Sequence, residues 1–276
     1  MGVITADTRL FCVLGNPVCH SKSPLIHNQA FADHQIDAVY LAFAPTDIQK
    51  AMDAVRQFHV QGVSVTIPFK QRVIPFLDEI DDQASAIGAV NTIVNQNGVL
   101  SGYNTDSSAA IAPLKDAQIS GKTVLIIGAG GAARGVAFGI HANNGDLLIT
   151  NRSEDKGRAL AARFDAEFYP MDDIRHLRPD IIINTTSLGM TPEENVLSCP
   201  EDCLTSETLV MDVVYTPLET RLISAARQKG CRVVDGLTMF IAQAAAQFEL
   251  WTGILPDTEK MRHTILTHPD FHTQSL

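Results

Sequence analysis

The chain is short of cations. Its 276 residues carry 21 Lys and Arg against 31 Asp and Glu, a formal charge of −10 and a sequence pI near 5.3. A field of that sign repels phosphate backbones and anionic lipid, so nucleic-acid and membrane-surface binding are disfavoured. Cysteine is sparse and odd in number, at positions 12, 19, 199, 203 and 231. The closest pair, Cys199 and Cys203, has nothing beside it that resembles a metal-ligand array, so free thiols in a reducing cytosol are expected. No apolar run approaches the ~18 residues of a bilayer span. The opening MGVITADTRLF lacks a cationic stretch followed by an apolar one, so no secretory signal is expected. Ala6 stands where myristoylation requires Ser or Thr. Internal repeats, low-complexity tracts and long charge runs are missing, as are H-E-x-x-H, Walker A and G-x-S-x-G strings. His263, His268 and His272 read as solvated tail residues, and no metal is expected.

What remains is a globular composition, 45% hydrophobic and 19% charged. The length suits two domains or one large one, with a core that needs no disulfide staples. Strand and helix patterns alternate. Residues 9–15 (RLFCVLG), 38–44 (AVYLAFA) and 62–67 read as strands. Residues 24–34 and 46–58 read as helices, the second with Ile48, Met52 and Val55 on one face. Strands separated by helices imply parallel βαβ units. Residues 87–106 change character, and Asn97-Gly98 between two short apolar runs predicts a hairpin.

A second α/β pattern starts at Lys122. TVLIIG is continuously apolar, as a strand buried on both faces must be. There follow a glycine-rich turn, a helix to about 142, DLLITN, a helix from about 155, a weak strand at 167–169, DIIINTTS, LVMDVVY, a helix from 219 and CRVVDG. About six short strands in one unit make a doubly wound dinucleotide fold. A last helix, 239–251, places Phe240, Ala244, Phe248 and Trp251 on one face and is expected to cross back to the first unit.

Gly128-Ala129-Gly130-Gly131-Ala132-Ala133-Arg134 directly follows the buried strand and opens a helix. Gly128 permits the tight turn, Gly130 lets the backbone approach a pyrophosphate, and a small residue at 133 lets helix and strand pack. Such a motif is unspecific alone, but here it has the strand before it and the helix after it. The next strand ends in Asn151-Arg152-Ser153, with Arg152 falling 24 residues after Gly128, where this fold reads the adenosine ribose. Arg152, Ser153 and Lys156 suit a 2′-phosphate, so NADP is preferred. Glu154 lies at the same edge and could bind ribose hydroxyls instead.

Polar residues also gather at strand ends of the first unit: Ser21 and Ser23 in GNPVCHSKSP, Thr66 and Lys70 in VSVTIPFK, Asn91 in IGAVNT, and Asp106 in GYNTD. Each has an ordinary reading. Ser23 could cap the helix at Pro24, Lys70 could be a surface lysine, Asn91 could hold a turn, and Asp106 could cap the next helix. Taken in order with GAGGAARG, NRS, INTTSLGM, DVVYTPLET and GLTMFIAQAAAQFELWTG, these strings resemble the shikimate dehydrogenase family over nearly the whole chain.

The resemblance implies a two-domain α/β enzyme. An N-terminal α/β substrate domain (1–105, with 240–276 returning to it) would accompany a Rossmann-type NADP domain (106–239). It implies that Ser21 and Ser23 bind the substrate carboxylate, and that Thr66, Lys70, Asn91 and Asp106 surround the ring hydroxyls. Tyr215 and Gln243 would also face the substrate. Val213 and Gly236 would lie at the nicotinamide end, with Asp82 near that site. Lys70 is the expected acid/base and Asp106 its partner. Burial would lower the lysine pKa and the carboxylate would raise it, so the net direction stays open. The implied activity is reversible NADP-dependent reduction of 3-dehydroshikimate to shikimate, in the cytoplasm, by a monomer or homodimer. The alternatives are a quinate/shikimate dehydrogenase with NAD or dual cofactor use, a non-catalytic ligand sensor, and a folate-directed dehydrogenase, against which the S-x-S pair argues. Two positions depart from the family pattern. Ser64 replaces an asparagine and is expected to alter ring recognition. Thr238 replaces a glycine and is expected to remove backbone freedom near the nicotinamide. Ser23, which is threonine in some quinate-preferring relatives, favours shikimate.

Overall fold

The computed structural model describes residues 3–269. Residues 3–105 and 241–269 form one compact unit, and residues 106–240 form another. His272 lies outside the described residues.

The first unit contains β1 (Arg9–Leu14), α1 (Ser23–Asp33), β2 (Ala38–Phe43), α2 (Ile48–Gln57), β3 (Gly62–Val65), β4 (Glu79–Ile80), α3 (Asp82–Ile87), β5 (Thr92–Gln96) and β6 (Val99–Tyr103). These strands make one sheet in the order β2-β1-β3-β5-β6-β4. The parallel pattern expected from the sequence holds for β1, β2 and β3 and then stops, because β5 runs antiparallel to both β3 and β6. A hairpin sets the second of these pairings. Asn97 and Gly98 take φ of 55° and 92°, the paired positive values that a two-residue turn matching strand twist requires. Asp47 caps α2 by accepting from the Gln49 and Lys50 amides, and Ile48, Met52 and Val55 are buried as their spacing predicts.

The second unit contains α4 (Asp106–Ile111), β7 (Thr123–Ile127), α5 (Gly131–Ala142), β8 (Asp146–Thr150), α6 (Glu154–Arg163), β9 (Glu167–Tyr169), β10 (Ile181–Asn184), β11 (Leu209–Asp212), α7 (Arg221–Gln228) and β12 (Arg232–Val234). Its sheet runs β12-β11-β10-β7-β8-β9 with every pair parallel. Counted within the unit this is the order 6-5-4-1-2-3 of a doubly wound dinucleotide fold. The central strands are buried on both faces, which is why they read as unbroken apolar runs.

Helix α8 spans Gly236–Thr252, and α9 (Thr258–Leu266) follows it and packs against α1. The sequence placed the start of α8 three residues too late and put Phe240 on one face with Ala244, Phe248 and Trp251. Phe240 instead stacks on Tyr215, with ring centroids 4.4 Å apart. The other three serve the first unit. Phe248 meets Phe31 at 5.2 Å, and the Trp251 indole N–H donates to the Ile93 carbonyl at 3.1 Å. Burying a side chain such as Phe248 contributes about 1.5–3 kcal/mol. No helix among the described residues is long and apolar enough to cross a membrane.

Candidate active site

In the first unit the sheet order collects the polar residues at one edge. β1 and β3 are parallel and end side by side, while the antiparallel β5 begins there. The Val65 amide donates to the Asn91 carbonyl at 2.7 Å, the Thr66 amide to Leu14 at 2.9 Å, and the Asn91 amide to Tyr103 at 3.1 Å. Thr66 and Asn91 thus flank the ends of β1 and β6, at the carboxyl ends of parallel strands where open α/β sheets bind ligands. Lys70 is tied in by its carbonyl, which accepts from the Val90 amide at 2.7 Å, one residue from Asn91. Gln243 of α8 joins through its own carbonyl, which accepts from Thr105 Oγ1 at 3.1 Å. The structure therefore brings Thr66, Lys70, Asn91 and Gln243 into one group.

Ser21 and Ser23 stand at the entry to α1. The Ser23 amide donates to Ser21 Oγ at 3.3 Å. Ser23 does not cap the helix as its ordinary reading proposed; Lys22 holds the cap position and Ser23 is already helical. Asp82 is exposed in the first turn of α3, and the capping carboxylate there is its neighbour Asp81, which accepts from the Gln83 and Ala84 amides.

Ser64 does not face this edge. Its hydroxyl is buried between Tyr40 and Gln247, so the expectation that it alters ring recognition by lost contact is corrected. Thr238 is corrected too. It lies within α8, where no special backbone freedom is needed, and its amide and hydroxyl both donate to Asp235 Oδ1 at 2.9 Å.

The second unit carries the glycine turn. Gly128 has φ +118°, and a β-carbon there would lie 2.5 Å from Thr185 Oγ1. Both facts require glycine. A β-carbon at Gly130 would meet nothing within 4 Å, so the turn opens onto free space at the amino end of α5. Gly131 begins that helix, Ala129 and Ala132 are half-buried, and Ala133 is fully buried against the sheet. Amides at a helix amino terminus, with room in front of them, fit a pyrophosphate.

The Gly128 amide donates to Thr150 at 2.8 Å, which sets the end of β8 beside the turn. Beyond β8 the Asn151 side-chain amide donates to the Ser153 carbonyl at 2.7 Å. Arg152, Ser153 and Lys156 are exposed, and Ser153 occupies the cap position of α6 with its hydroxyl unused as a cap. These residues fit a ribose phosphate. Glu154 pairs with Arg158 at 3.1 Å one turn along.

Val213 and Gly236 come together. A β-carbon on Gly236 would overlap the Val214 carbonyl and lie 2.8 Å from the Val213 carbonyl carbon, so only glycine allows that approach. Four residues that the sequence reading did not single out, Asp212, Asn184, Thr220 and Thr186, hold this region. Asp212, fully buried at the end of β11, accepts from Asn184 Nδ2 at 2.9 Å, the Val214 amide at 3.0 Å and Thr220 Oγ1 at 2.7 Å. Burial pushes the Asp212 carboxyl up to about 6, against those three bonds that pull it down. Asn184 Oδ1 also accepts from the Thr186 amide and hydroxyl. The available signal was a carboxylate closing the apolar run LVMD. Asp106 is buried as the first residue of α4. Among the described residues, no group of three His, Cys, Asp or Glu is arranged to hold a metal.

Three family models match the chain in succession: the shikimate dehydrogenase substrate binding domain over residues 13–93, shikimate / quinate 5-dehydrogenase over 110–214, and the shikimate 5′-dehydrogenase C-terminal domain over 236–266. The NADP(+) shikimate dehydrogenase of Pyrococcus abyssi is 41% identical over 261 residues, covering 94% of this chain and 97% of that one. The shikimate 5-dehydrogenase of Thermus thermophilus, solved with NADP(H) and shikimate, superposes with a TM-score of 0.85 at 34% identity, over 93% of this chain and 98% of that one. A quinate dehydrogenase from Corynebacterium glutamicum, solved with NAD, gives 0.87 at 30% identity, over 95% and 99%. With two-domain likeness, ordered motifs and identity of this extent, the chain belongs to the shikimate dehydrogenase family.

Proposed function

We propose that the protein catalyses the reversible NADP-dependent reduction of 3-dehydroshikimate to shikimate, a step toward chorismate and the aromatic amino acids, in the cytoplasm and as a monomer or homodimer. Residues 1–105 with 240–276 are assigned to substrate, and residues 106–239 to NADP. The observation that carries the reading is the polar edge of the first unit, where backbone hydrogen bonds of Thr66, Lys70 and Asn91 and of their chain neighbours set these residues side by side and the Thr105 hydroxyl joins Asn91 to Gln243. A small acid bearing several hydroxyls needs such short, fixed donors and acceptors rather than an apolar pocket.

Roles follow from chemistry. Ser21 and Ser23 bind the carboxylate; Thr66, Asn91, Tyr215 and Gln243 bind the ring. Gly128, Ala129, Gly130, Gly131 and Ala132 hold the pyrophosphate, Asn151 to Ser153 with Lys156 the adenosine phosphate, and Val213 and Gly236 the nicotinamide end, with Asp82 beside that site. The nicotinamide, when bound, donates or accepts the hydride. Negative charge then grows on the carbonyl oxygen, and the Lys70 ammonium stabilises it and delivers the proton. Asp106 is its partner and bonds the reacting hydroxyl.

Quinate oxidation with NAD is the second reading, favoured by Glu154 at the ribose edge and by the likeness to the quinate dehydrogenase. Initial rates with shikimate and quinate, each with NADP and NAD, decide between them. The shikimate–NADP pair is expected to be fastest. Faster turnover of quinate with NAD would replace the first reading by the second, and no turnover in any combination would leave a ligand sensor.

A further inference from the structure

Resting on the shikimate reading, we propose that Gln247, with Ser64 and Tyr40 behind it, is a positioning residue that sets substrate affinity through Asn91. Tyr40 Oη donates to Ser64 Oγ at 2.6 Å, Ser64 Oγ donates to Gln247 Oε1 at 2.6 Å, and Gln247 Nε2 donates to the Asn91 carbonyl at 3.0 Å. All four residues are buried, Tyr40 completely and Gln247 and Asn91 at 1% exposure. The bonds run in one donor direction across β2, β3 and α8 to the residue before β5. An aromatic wall surrounds them: His27 stacks on Tyr40 at 4.5 Å, and Trp251 lies 6.0 Å from the same ring. In such surroundings a lost partner is costly, because no water replaces it.

Asn91 is thereby held at both ends. Its carbonyl takes Gln247 as well as the Val65 amide. Its side-chain oxygen accepts from the Thr105 amide at 2.9 Å and Thr92 Oγ1 at 2.7 Å, and its Nδ2 donates to Thr105 Oγ1 at 2.9 Å. Thr105 Oγ1 in turn donates to the Gln243 carbonyl. Gln243 and Gln247 are one helical turn apart and share a face of α8. One turn of that helix therefore grips the Asn91 main chain through Gln247 and reaches its side chain through Thr105. Ser64, the departure from the family pattern, is short enough to sit at 2.6 Å from both neighbours. A longer amide there has no room while Tyr40 and Gln247 keep their places.

Contacts to ring hydroxyls exist in the ground state and the transition state alike, so loosening Asn91 raises KM with little change in kcat. Gln247→Leu is expected to raise the shikimate KM about 3- to 10-fold, the size of one net hydrogen bond, with the NADP KM unchanged and kcat within about twofold. Ser64→Ala follows in the same direction, Ser64→Thr restores the hydroxyl and the KM, and Tyr40→Phe acts least because it is farthest removed. Thermal midpoints are measured alongside. If Gln247→Leu does not fold, Ser64→Ala and Tyr40→Phe, each lacking a single oxygen, carry the test. An unchanged shikimate KM in the folded variants overturns the proposal, as does a joint shift of both KM values and kcat. Wild-type turnover of shikimate is measured first. Its absence overturns the functional reading and this inference together, whereas normal wild-type turnover with an insensitive KM overturns the inference alone.

Discussion

The two units carry their proposed binding residues by opposite means. The first, with a mixed sheet, presents side chains whose polar atoms are buried and braced by neighbours, as Asn91 is by Thr105 and Gln247. The second, with a wholly parallel sheet, uses a glycine turn and exposed long side chains, Arg152 and Lys156. A small hydroxylated ring must be met by atoms fixed to within a fraction of an ångström. A dinucleotide is long and anionic, so backbone amides at a helix end and reaching charges suffice. In the second unit the buried Asp212 carboxylate, held by Asn184, Thr220 and the Val214 amide, fixes the start of the loop that follows β11.

The division is most open to attack at Lys70. Lys70→Ala is expected to lower kcat by about 10²–10⁴ while NADP affinity, measured by cofactor fluorescence, stays as in the wild type. Equal loss of cofactor binding would erase the distinction between the halves. Arg152→Ala is the mirror experiment. The NADP KM should rise about 10- to 100-fold through lost charge-assisted hydrogen bonds, with the NAD and shikimate KM values unmoved. An equal rise for NAD would remove the 2′-phosphate from the argument.

Acid separates the units next. Burial takes the His27 imidazole from its ordinary 6.5 down to about 3, only partly opposed by neighbouring Gln247, and neither ring nitrogen attains hydrogen-bonding geometry. The unfolded chain therefore binds the proton first, and stability from this site is lost as pH falls below 6.5 toward 3. Asp212 has the opposite sign. Its folded value of about 6 lies above its ordinary 3.8, so its contribution is fully present below 3.8 and is lost as pH rises through 6. His27→Phe should flatten the fall in melting temperature between about pH 6.5 and about pH 4, and Asp212→Asn should steepen it. Wild-type slopes in both variants would show that neither group titrates as its burial requires. The smallest effect belongs to Glu154→Gln. Its pair with Arg158 is more than half exposed, so about 0.5 kcal/mol or less is expected in chemical denaturation. A larger loss would assign that pair a structural role.

Much of this architecture could be read locally. The Asn97-Gly98 hairpin, the Gly128 turn between strand and helix, and the face of α2 follow from φ preferences and periodicity within a few residues. Other features could not. Nothing near β5 shows that it reverses direction against β3: the parallel reading covered the three strands before it, and the hairpin reading gave only its pairing with β6. Ser64 reads locally as a lost substrate contact, but its hydroxyl lies between Tyr40 and Gln247. Thr238 reads locally as lost backbone freedom, but it is a helical residue bonded to Asp235.

The amino-acid sequence by itself determined the alternation of strand and helix, the glycine turn and the basic residues beyond β8, because each depends on a backbone preference or a charge that a residue carries with it. Only the tertiary structure decided what the buried polar groups bind. Ser64 and its partner Gln247 stand 183 positions apart, and no local pattern links them. A polar atom removed from water must take whichever partner the packing of strands and helices delivers.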